Sequence, residues 1–195
     1  MTLAQLDKLY ADRVSRVSPR WPPVEVVTPP PNPDAPAAGT KLGPHYAQCF
    51  GCGDEIEGGL RLRTEAGPDS TIMAQFTVTE AHQGAPGLAH GGLLACAFDE
   101  ALGSTVGQML RRPAVTGRLE TDFLRPVPIG STLHIVGRLD GVAGRKVYAS
   151  ADGRLNAPDG QLALRARALF VIVDFSHFTT HGTADPRDVH PDVNP

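Results

Sequence analysis

Apolar and polar residues alternate along six segments of the chain, as they do in strands that bury one face. Residues 59–66 and 71–78 are separated by Gly-Pro-Asp, and this arrangement predicts a hairpin. Four more alternating segments come later, separated by turn-forming proline and glycine residues: 115–125, 132–140, 145–156 and 161–174. The pattern therefore predicts two early strands and four late ones.

Between these two groups of strands, residues 91 to about 110 follow a helical period. Apolar or small residues recur every three or four positions and form one stripe: Leu94, Phe98, Ala101, Leu102, Thr105 and Met109. Proline, which would interrupt a helix, is absent until Pro113. The sequence predicts one long helix here.

Short connections favour antiparallel neighbours, so we expect the strands to form a single curved sheet. Its apolar face needs a cover, and the helix carries small residues that let a sheet approach closely: Ala95, Ala97, Ala101, Gly103 and Gly107. The predicted fold class is α+β, with a curved antiparallel sheet wrapped around one long central helix.

The ends of the chain differ from this middle part. Apolar residues at helical spacing predict a short helix over residues 3–17, and the proline-rich residues 19–44 predict a linker or a wrapping arm. Residues 176–195 are polar and predict an irregular tail. We therefore expect an N-terminal helix and arm over residues 1–44, one folded domain over residues 45–175, and a C-terminal tail.

Composition narrows the classes of function. The 195 residues are 41% hydrophobic and 20% charged, with a formal net charge of −3 and no broad cationic segment. We expect no nucleic-acid partner, and no membrane partner because no run of apolar residues is long enough to span a bilayer. The N-terminus lacks a secretory pattern and the chain has only three cysteines, so the predicted location is cytoplasmic.

The stretch from residue 82 to 103, HQGAPGLAHGGLLACAFDEALG, carries the candidate chemistry. His90-Gly91-Gly92 stands at the predicted helix start, and Asp99 follows His90 by nine positions. In this pattern the chain resembles the hotdog-fold acyl-CoA thioesterases, in particular their phenylacetyl- and hydroxybenzoyl-CoA branch. The resemblance extends over residues 45 to 174, including CFGCG and FLRPVPIG. It implies hydrolysis of an acyl-CoA or acyl-carrier thioester to a free acid and a thiol, with no cofactor.

Thioester hydrolysis needs a group that activates water or attacks the carbonyl, and donors for the developing oxyanion. The amides of Gly91 and Gly92 are expected among the unpaired donors of the first helical turn, where the helix dipole also favours negative charge. Asp99 supplies the carboxylate, either as general base or as nucleophile, and the sequence leaves both roles open.

Four neighbouring residues are further candidates. His90 either transfers protons or fixes the loop through its ring, and Thr116 is either a hydroxyl beside the catalytic water or an ordinary strand residue. Some phenylacetyl-type relatives place an Asn about six residues before the His, where this chain has Gly84. Gln83, next to it, is the candidate for polarising the substrate carbonyl.

The Cys49-x-x-Cys52 pair has the spacing of a metal-binding loop, but structural zinc usually takes four ligands and no second pair follows. His45 or Asp54 could add ligands only by a favourable arrangement of the loop. The sequence therefore predicts structural thiols and no metal.

Two other classes of function stay open. An enoyl-thioester hydratase or dehydratase on the same fold would use an Asp/His pair, for which His82 and His90 are available. A non-catalytic acyl-thioester-binding protein is the second alternative, because a fold does not establish catalysis.

The helix also predicts an oligomer. Nine helical residues advance about 13 Å, so the glycine turn and Asp99 of one subunit do not reach the same thioester carbon. A homodimer, alone or paired into a dimer of dimers, would bring the two halves together across a two-fold axis.

Overall fold

A computed structural model describes residues 20–182 of the chain. Its centre is a seven-stranded antiparallel sheet and one 20-residue helix, α1 (Gly91–Leu110). The sheet order is β1-β2-β3-β7-β8-β9-β6. The strands are β1 (Lys41–Leu42), β2 (Arg63–Ala66), β3 (Thr71–Thr77), β6 (Ala114–Phe123), β7 (Thr132–Ala143), β8 (Lys146–Leu155) and β9 (Leu162–Ile172). A small hairpin, β4 (Gln83–Ala85) with β5 (Leu88–Ala89), precedes the helix.

The helix lies against five of the strands, β3, β6, β7, β8 and β9, so the predicted sheet wrapped around a helix is confirmed. Phe98 and Leu102, from the predicted apolar stripe, are fully buried in the core. Gly153 of β8 allows close approach, because a Cβ there would lie 2.6 Å from Cζ of Phe98. At Gly137 of β7 a Cβ would collide with the hydroxyl of Thr105.

Most predicted strand limits agree with the structure within three residues. The exception is the first strand, which begins at Arg63 rather than at residue 59. The amides of Leu60 and Leu62 donate to the carbonyls of Phe50 and Gly51, so this part of the segment pairs with the cysteine-containing loop instead of with β3.

The proline-rich segment is a wrapping arm rather than a free linker. Its end forms β1, which pairs with β2, and Val27 forms an isolated bridge with Val142 of β7. Earlier in the arm, the Trp21 indole N–H donates to Asp140 at 2.8 Å and the ring packs edge-on against Tyr148. The predicted helix over residues 3–17 lies outside the described residues.

After the sheet, α2 (Ser176–His181) forms one short helix where the sequence predicted an irregular tail. It buries none of its residues, and residues 183–195 lie outside the described range. Among residues 20–182, no helix is both long enough and apolar enough to cross a bilayer.

Candidate active site

The helix N-terminus is built by His90, the N-cap of α1. Its backbone is extended (φ −70°, ψ 130°), and Nδ1 of its ring accepts a hydrogen bond from the Gly92 amide at 3.0 Å. The His90 carbonyl accepts from the amides of Leu93 and Leu94. The His90 amide itself donates to the His82 carbonyl, so three of the four amides at the helix start, those of His90, Gly92 and Leu93, have acceptors. The Gly91 amide has no hydrogen-bond partner among the described residues.

The β4–β5 hairpin holds this turn in place. Gln83 accepts a hydrogen bond from the Gly87 amide through Oε1 at 2.7 Å, and this bond closes the hairpin. Gln83 is exposed, and its NH₂ group takes no part in this bond. Gly84 packs directly against His90, since a Cβ there would lie 2.6 Å from the His90 Cα. Both predicted substrate-binding residues therefore lie within the loop that precedes the helix.

His82 lies below the surface of the same loop. It is 4% exposed, its Nδ1 accepts from the Thr79 amide at 3.1 Å, and its carbonyl accepts from the His90 amide. Burial lowers the pKa of His82, which favours the neutral ring. Neither His82 nor His90 forms a hydrogen bond with Asp99 in the described part of the chain.

Asp99 and Thr116, two separate predictions from the sequence, meet in the structure. The Thr116 hydroxyl of β6 donates to Oδ1 of Asp99 at 2.8 Å. Burial raises the pKa of Asp99, the Thr116 hydrogen bond lowers it, and the negative charges of Glu100 and Cys49 raise it further; the net shift is upward. Asp99 is therefore a stronger base than an exposed aspartate, held by a hydroxyl.

Cys96 lies one helical turn before Asp99 on α1, and its thiol is the second side chain there that could attack a thioester carbonyl. Burial, followed by the negative charges of Asp99, Glu100 and Cys49, raises the pKa of its thiol to about 11. The thiol is therefore protonated at neutral pH, and the thiolate is the form that attacks carbonyls. Of the two side chains, Asp99 is therefore the better candidate for the group that activates water or attacks the carbonyl.

The two halves of the site lie apart within one chain. Gly91 and Asp99 are separated by about 12 Å along the helix axis, at about 1.5 Å per residue. The Phe123 ring lies beside Gly91, because a Cβ on that glycine would meet ring carbons at 3.5 Å. Thr116 and Phe123 both belong to β6, the last strand of the sheet, whose outer edge has no partner strand in the described chain.

Glu100, the residue after Asp99, points to a different set of groups. Its carboxylate contacts Cys49 and His45, and the ligand atoms of these residues and of Cys52 all lie within 4.8 Å of one another. The sequence offered the Cys-x-x-Cys spacing as a signal, but no local pattern joins it to Glu100. This group lies next to the candidate active site and is separate from the Asp99–Thr116 pair.

A curved antiparallel sheet wrapped around one long helix is the hotdog fold. Residues 86–156 match the family model of the thioesterase superfamily. That segment contains the glycine turn, Asp99 and Thr116, so the resemblance seen in the sequence is confirmed.

Among curated proteins, the chain is similar to acyl-coenzyme A thioesterase THEM4 from Bos taurus, with 39% identity over 92 residues. The match covers 47% of this chain and 37% of the bovine protein, so the chain spans little more than a third of that relative's length. The THEM4 protein of Xenopus laevis is 33% identical over 46% of this chain and 39% of its own length.

Among solved structures, a thioesterase superfamily protein is 25% identical, covers 86% of this chain and 75% of its own, and has a TM-score of 0.58. A Streptococcus mutans protein solved with acetyl CoA is 18% identical, covers 61% of this chain and 94% of its own, and has a TM-score of 0.53. The second comparison supports the fold alone.

Proposed function

We propose that the chain is a thioesterase that hydrolyses acyl-CoA thioesters to a free acid and coenzyme A. The hydrogen bond between Thr116 and Asp99 carries this proposal, since it places an oriented carboxylate of raised basicity inside the segment that matches the thioesterase superfamily. The similarity to acyl-coenzyme A thioesterase THEM4 favours coenzyme A over a carrier protein as the thiol. Three unpaired cysteines suit a reducing compartment such as the cytoplasm.

The proposed reaction assigns one step to each group. Asp99 accepts a proton from water as the water oxygen attacks the thioester carbonyl, or its own oxygen attacks and water then hydrolyses the resulting anhydride. The Gly91 amide donates to the oxyanion, because the Gly92 amide is already engaged by His90. Collapse breaks the carbon–sulfur bond, and the leaving thiolate takes up a proton. Thr116 holds the Asp99 carboxylate in position throughout.

We further propose that each active site is shared between two subunits. The helix and β6 run in opposite directions, since Gly91 lies beside Phe123 and Asp99 beside Thr116. If two copies pair antiparallel through the free edge of β6, the Phe123 end of one strand meets the Thr116 end of the other. The partner's Gly91 amide then approaches Asp99, and two equivalent sites form.

A thiol-release assay over a panel of acyl-CoA substrates tests the activity. We expect turnover by the wild-type chain and a loss of at least about a hundredfold in kcat for Asp99→Asn, which keeps the shape of the side chain and removes its charge. Hydration of enoyl-CoA without thiol release would instead support the hydratase. Stoichiometric acyl-CoA binding without turnover would support the non-catalytic binding protein, and turnover of acyl-carrier thioesters alone would change the substrate class.

A mixing experiment tests the shared site. Asp99→Asn and Gly91→Pro should each be nearly inactive, but refolded together they should regain activity because a heterodimer contains one intact composite site. With random pairing about half of the dimers are heterodimers, so recovery should approach about a quarter of wild-type activity per chain. An inactive mixture of folded, exchanging variants, or a monomeric active enzyme, would contradict the shared site.

A further inference from the structure

We propose that His45, Cys49, Cys52 and Glu100 bind one structural Zn²⁺ ion that fastens the cysteine loop, residues 45–60, onto the central helix. One ligand atom from each residue lies within 4.8 Å of the other three. Two sulfurs, one imidazole nitrogen and one carboxylate oxygen make a ligand set that zinc accepts. This proposal replaces the expectation from sequence that the chain has no metal site.

The shortest contacts among these residues are close to the ligand spacing around a tetrahedral ion. Nδ1 of His45 lies 3.1 Å from Sγ of Cys52 and 3.3 Å from Oε1 of Glu100, and Oε2 of Glu100 lies 3.3 Å from Sγ of Cys49. In a tetrahedral zinc site with metal–ligand distances of about 2.0–2.3 Å, neighbouring ligand atoms are about 3.3–3.8 Å apart. Every pair of ligand atoms lies within 4.8 Å, so side-chain movements of about 1 Å would bring all four to tetrahedral spacing.

The backbone of the cysteine loop is shaped for a thiolate. The Gly51 amide donates to Sγ of Cys49 at 3.3 Å, a contact that stabilises a negatively charged sulfur. Gly53 is required by space, because a Cβ there would lie 2.7 Å from the Cys49 backbone nitrogen. A Cβ at Gly51 would lie 2.7 Å from Cδ of Glu100, so the glutamate side chain packs directly on this turn. The turn closes tightly around the sulfurs and brings Glu100 against them.

The site is closed, as structural zinc sites are. Four protein ligands fill a tetrahedron and leave no position for a catalytic water. Cys52 is 6% exposed and the Glu100 side chain 14%, whereas His45 is at the rim with 31%. Asp54, the acidic candidate within the loop, is not a ligand because its carboxylate pairs with Arg63.

The ion would join parts of the chain that are remote in sequence. The cysteine loop continues into β2 through the amides of Leu60 and Leu62, which bind loop carbonyls, while Glu100 belongs to α1. A metal held by both would fix the loop against the helix one residue from Asp99. Because the ligands themselves hold the loop, removal of the metal should loosen this contact and lower the unfolding temperature.

Elemental analysis of the purified 195-residue chain tests the proposal directly. We expect about one zinc ion per chain in the wild type, and loss of the metal in Cys49→Ser, Cys52→Ser and Glu100→Ala. Cys96→Ser is the matched control, because Cys96 lies on the same helix outside the proposed ligand set, and it should keep the zinc.

A second measurement avoids dependence on variants that fail to fold. Wild-type chain stripped of metal under reducing conditions should bind Co²⁺ and show the visible and near-ultraviolet bands of tetrahedral thiolate ligation, and Zn²⁺ should displace these bands. The proposal fails if wild-type chain carries no zinc and binds Co²⁺ without thiolate bands. It also fails if Cys96→Ser loses the metal while Glu100→Ala keeps it, or if Cys49 and Cys52 form a disulfide in freshly purified protein.

Discussion

Replacing Thr116 by Val tests the contact on which the proposed mechanism depends. Val has nearly the shape of Thr but lacks the hydroxyl that donates to Asp99 at 2.8 Å. A hydrogen bond to a charged group contributes about 1.5–3 kcal/mol, and because Thr116 is exposed in the single chain we take the lower part of that range. At about 1.4 kcal/mol per factor of ten, kcat/KM should fall roughly 10- to 30-fold.

The pH profile separates this role from a purely structural one. The hydrogen bond from Thr116 lowers the pKa of Asp99, so its loss should raise that pKa. A general base acts only when deprotonated, and the acidic limb of the kcat/KM profile should therefore move to higher pH in Thr116→Val. Thr116→Ser keeps the hydroxyl and should retain most of the activity and the wild-type limb.

Thiol release measured across the pH range, with circular dichroism as a folding control, provides both readouts. If folded Thr116→Val has the same kcat/KM and the same acidic limb as the wild type, Thr116 does not position Asp99. If activity falls equally in Thr116→Val and Thr116→Ser, the packing of the side chain rather than its hydroxyl is responsible.

Three further predictions concern stability. Gly84→Ala should lower the free energy of unfolding by about 1–3 kcal/mol in denaturant titrations, because its Cβ would press on His90, whereas Gly43→Ala, with open space around it, should change little. Asp99→Asn should have a larger free energy of unfolding than the wild type at pH values above the ordinary pKa of aspartate. The reason is that the raised pKa of Asp99 means that folding disfavours its charged form. This gain in stability should grow as the pH rises through the raised pKa and vanish in acid. Truncation after Asp174 should leave the melting temperature and thiol release nearly unchanged, since α2 buries no residue; loss of activity in a folded truncated chain would contradict this.

The sequence predicts those parts of the fold whose apolar residues repeat with the period of a helix or a strand. The stripe of α1 and the alternation of the late strands each determine their own conformation, and the limits agree closely with the structure. The start of β2 could not be predicted in this way. Residues 59–62 alternate like a strand, but the amides of Leu60 and Leu62 find partners about ten residues back in the cysteine loop, and such pairing leaves no periodic signature.

The candidate site, too, is predicted only in part from the sequence. Motif spacing identifies Asp99 and Thr116 as separate candidates, and the structure supplies the contact between them. His45 and Glu100 are 55 positions apart, and no spacing rule connects them. The spacing of the cysteine pair alone predicts structural thiols and no metal. The proposed fourth ligand, Glu100, belongs to the helix, and no pattern in the sequence connects it to the cysteine loop.

The helix geometry explains how two adjacent carboxylates enter two different environments. Successive helical residues turn by about 100°, so Glu100 points about 160° away from Phe98, the fully buried residue two positions earlier. Asp99 lies between these directions, at the edge strand that carries Thr116. Glu100 faces away from the sheet and should be exposed, yet its side chain is only 14% exposed because the cysteine loop covers it. A carboxylate covered in this way needs a compensating partner: His45 contacts it at 3.3 Å, and the proposed zinc ion would be held by the same cysteine and histidine side chains that cover it.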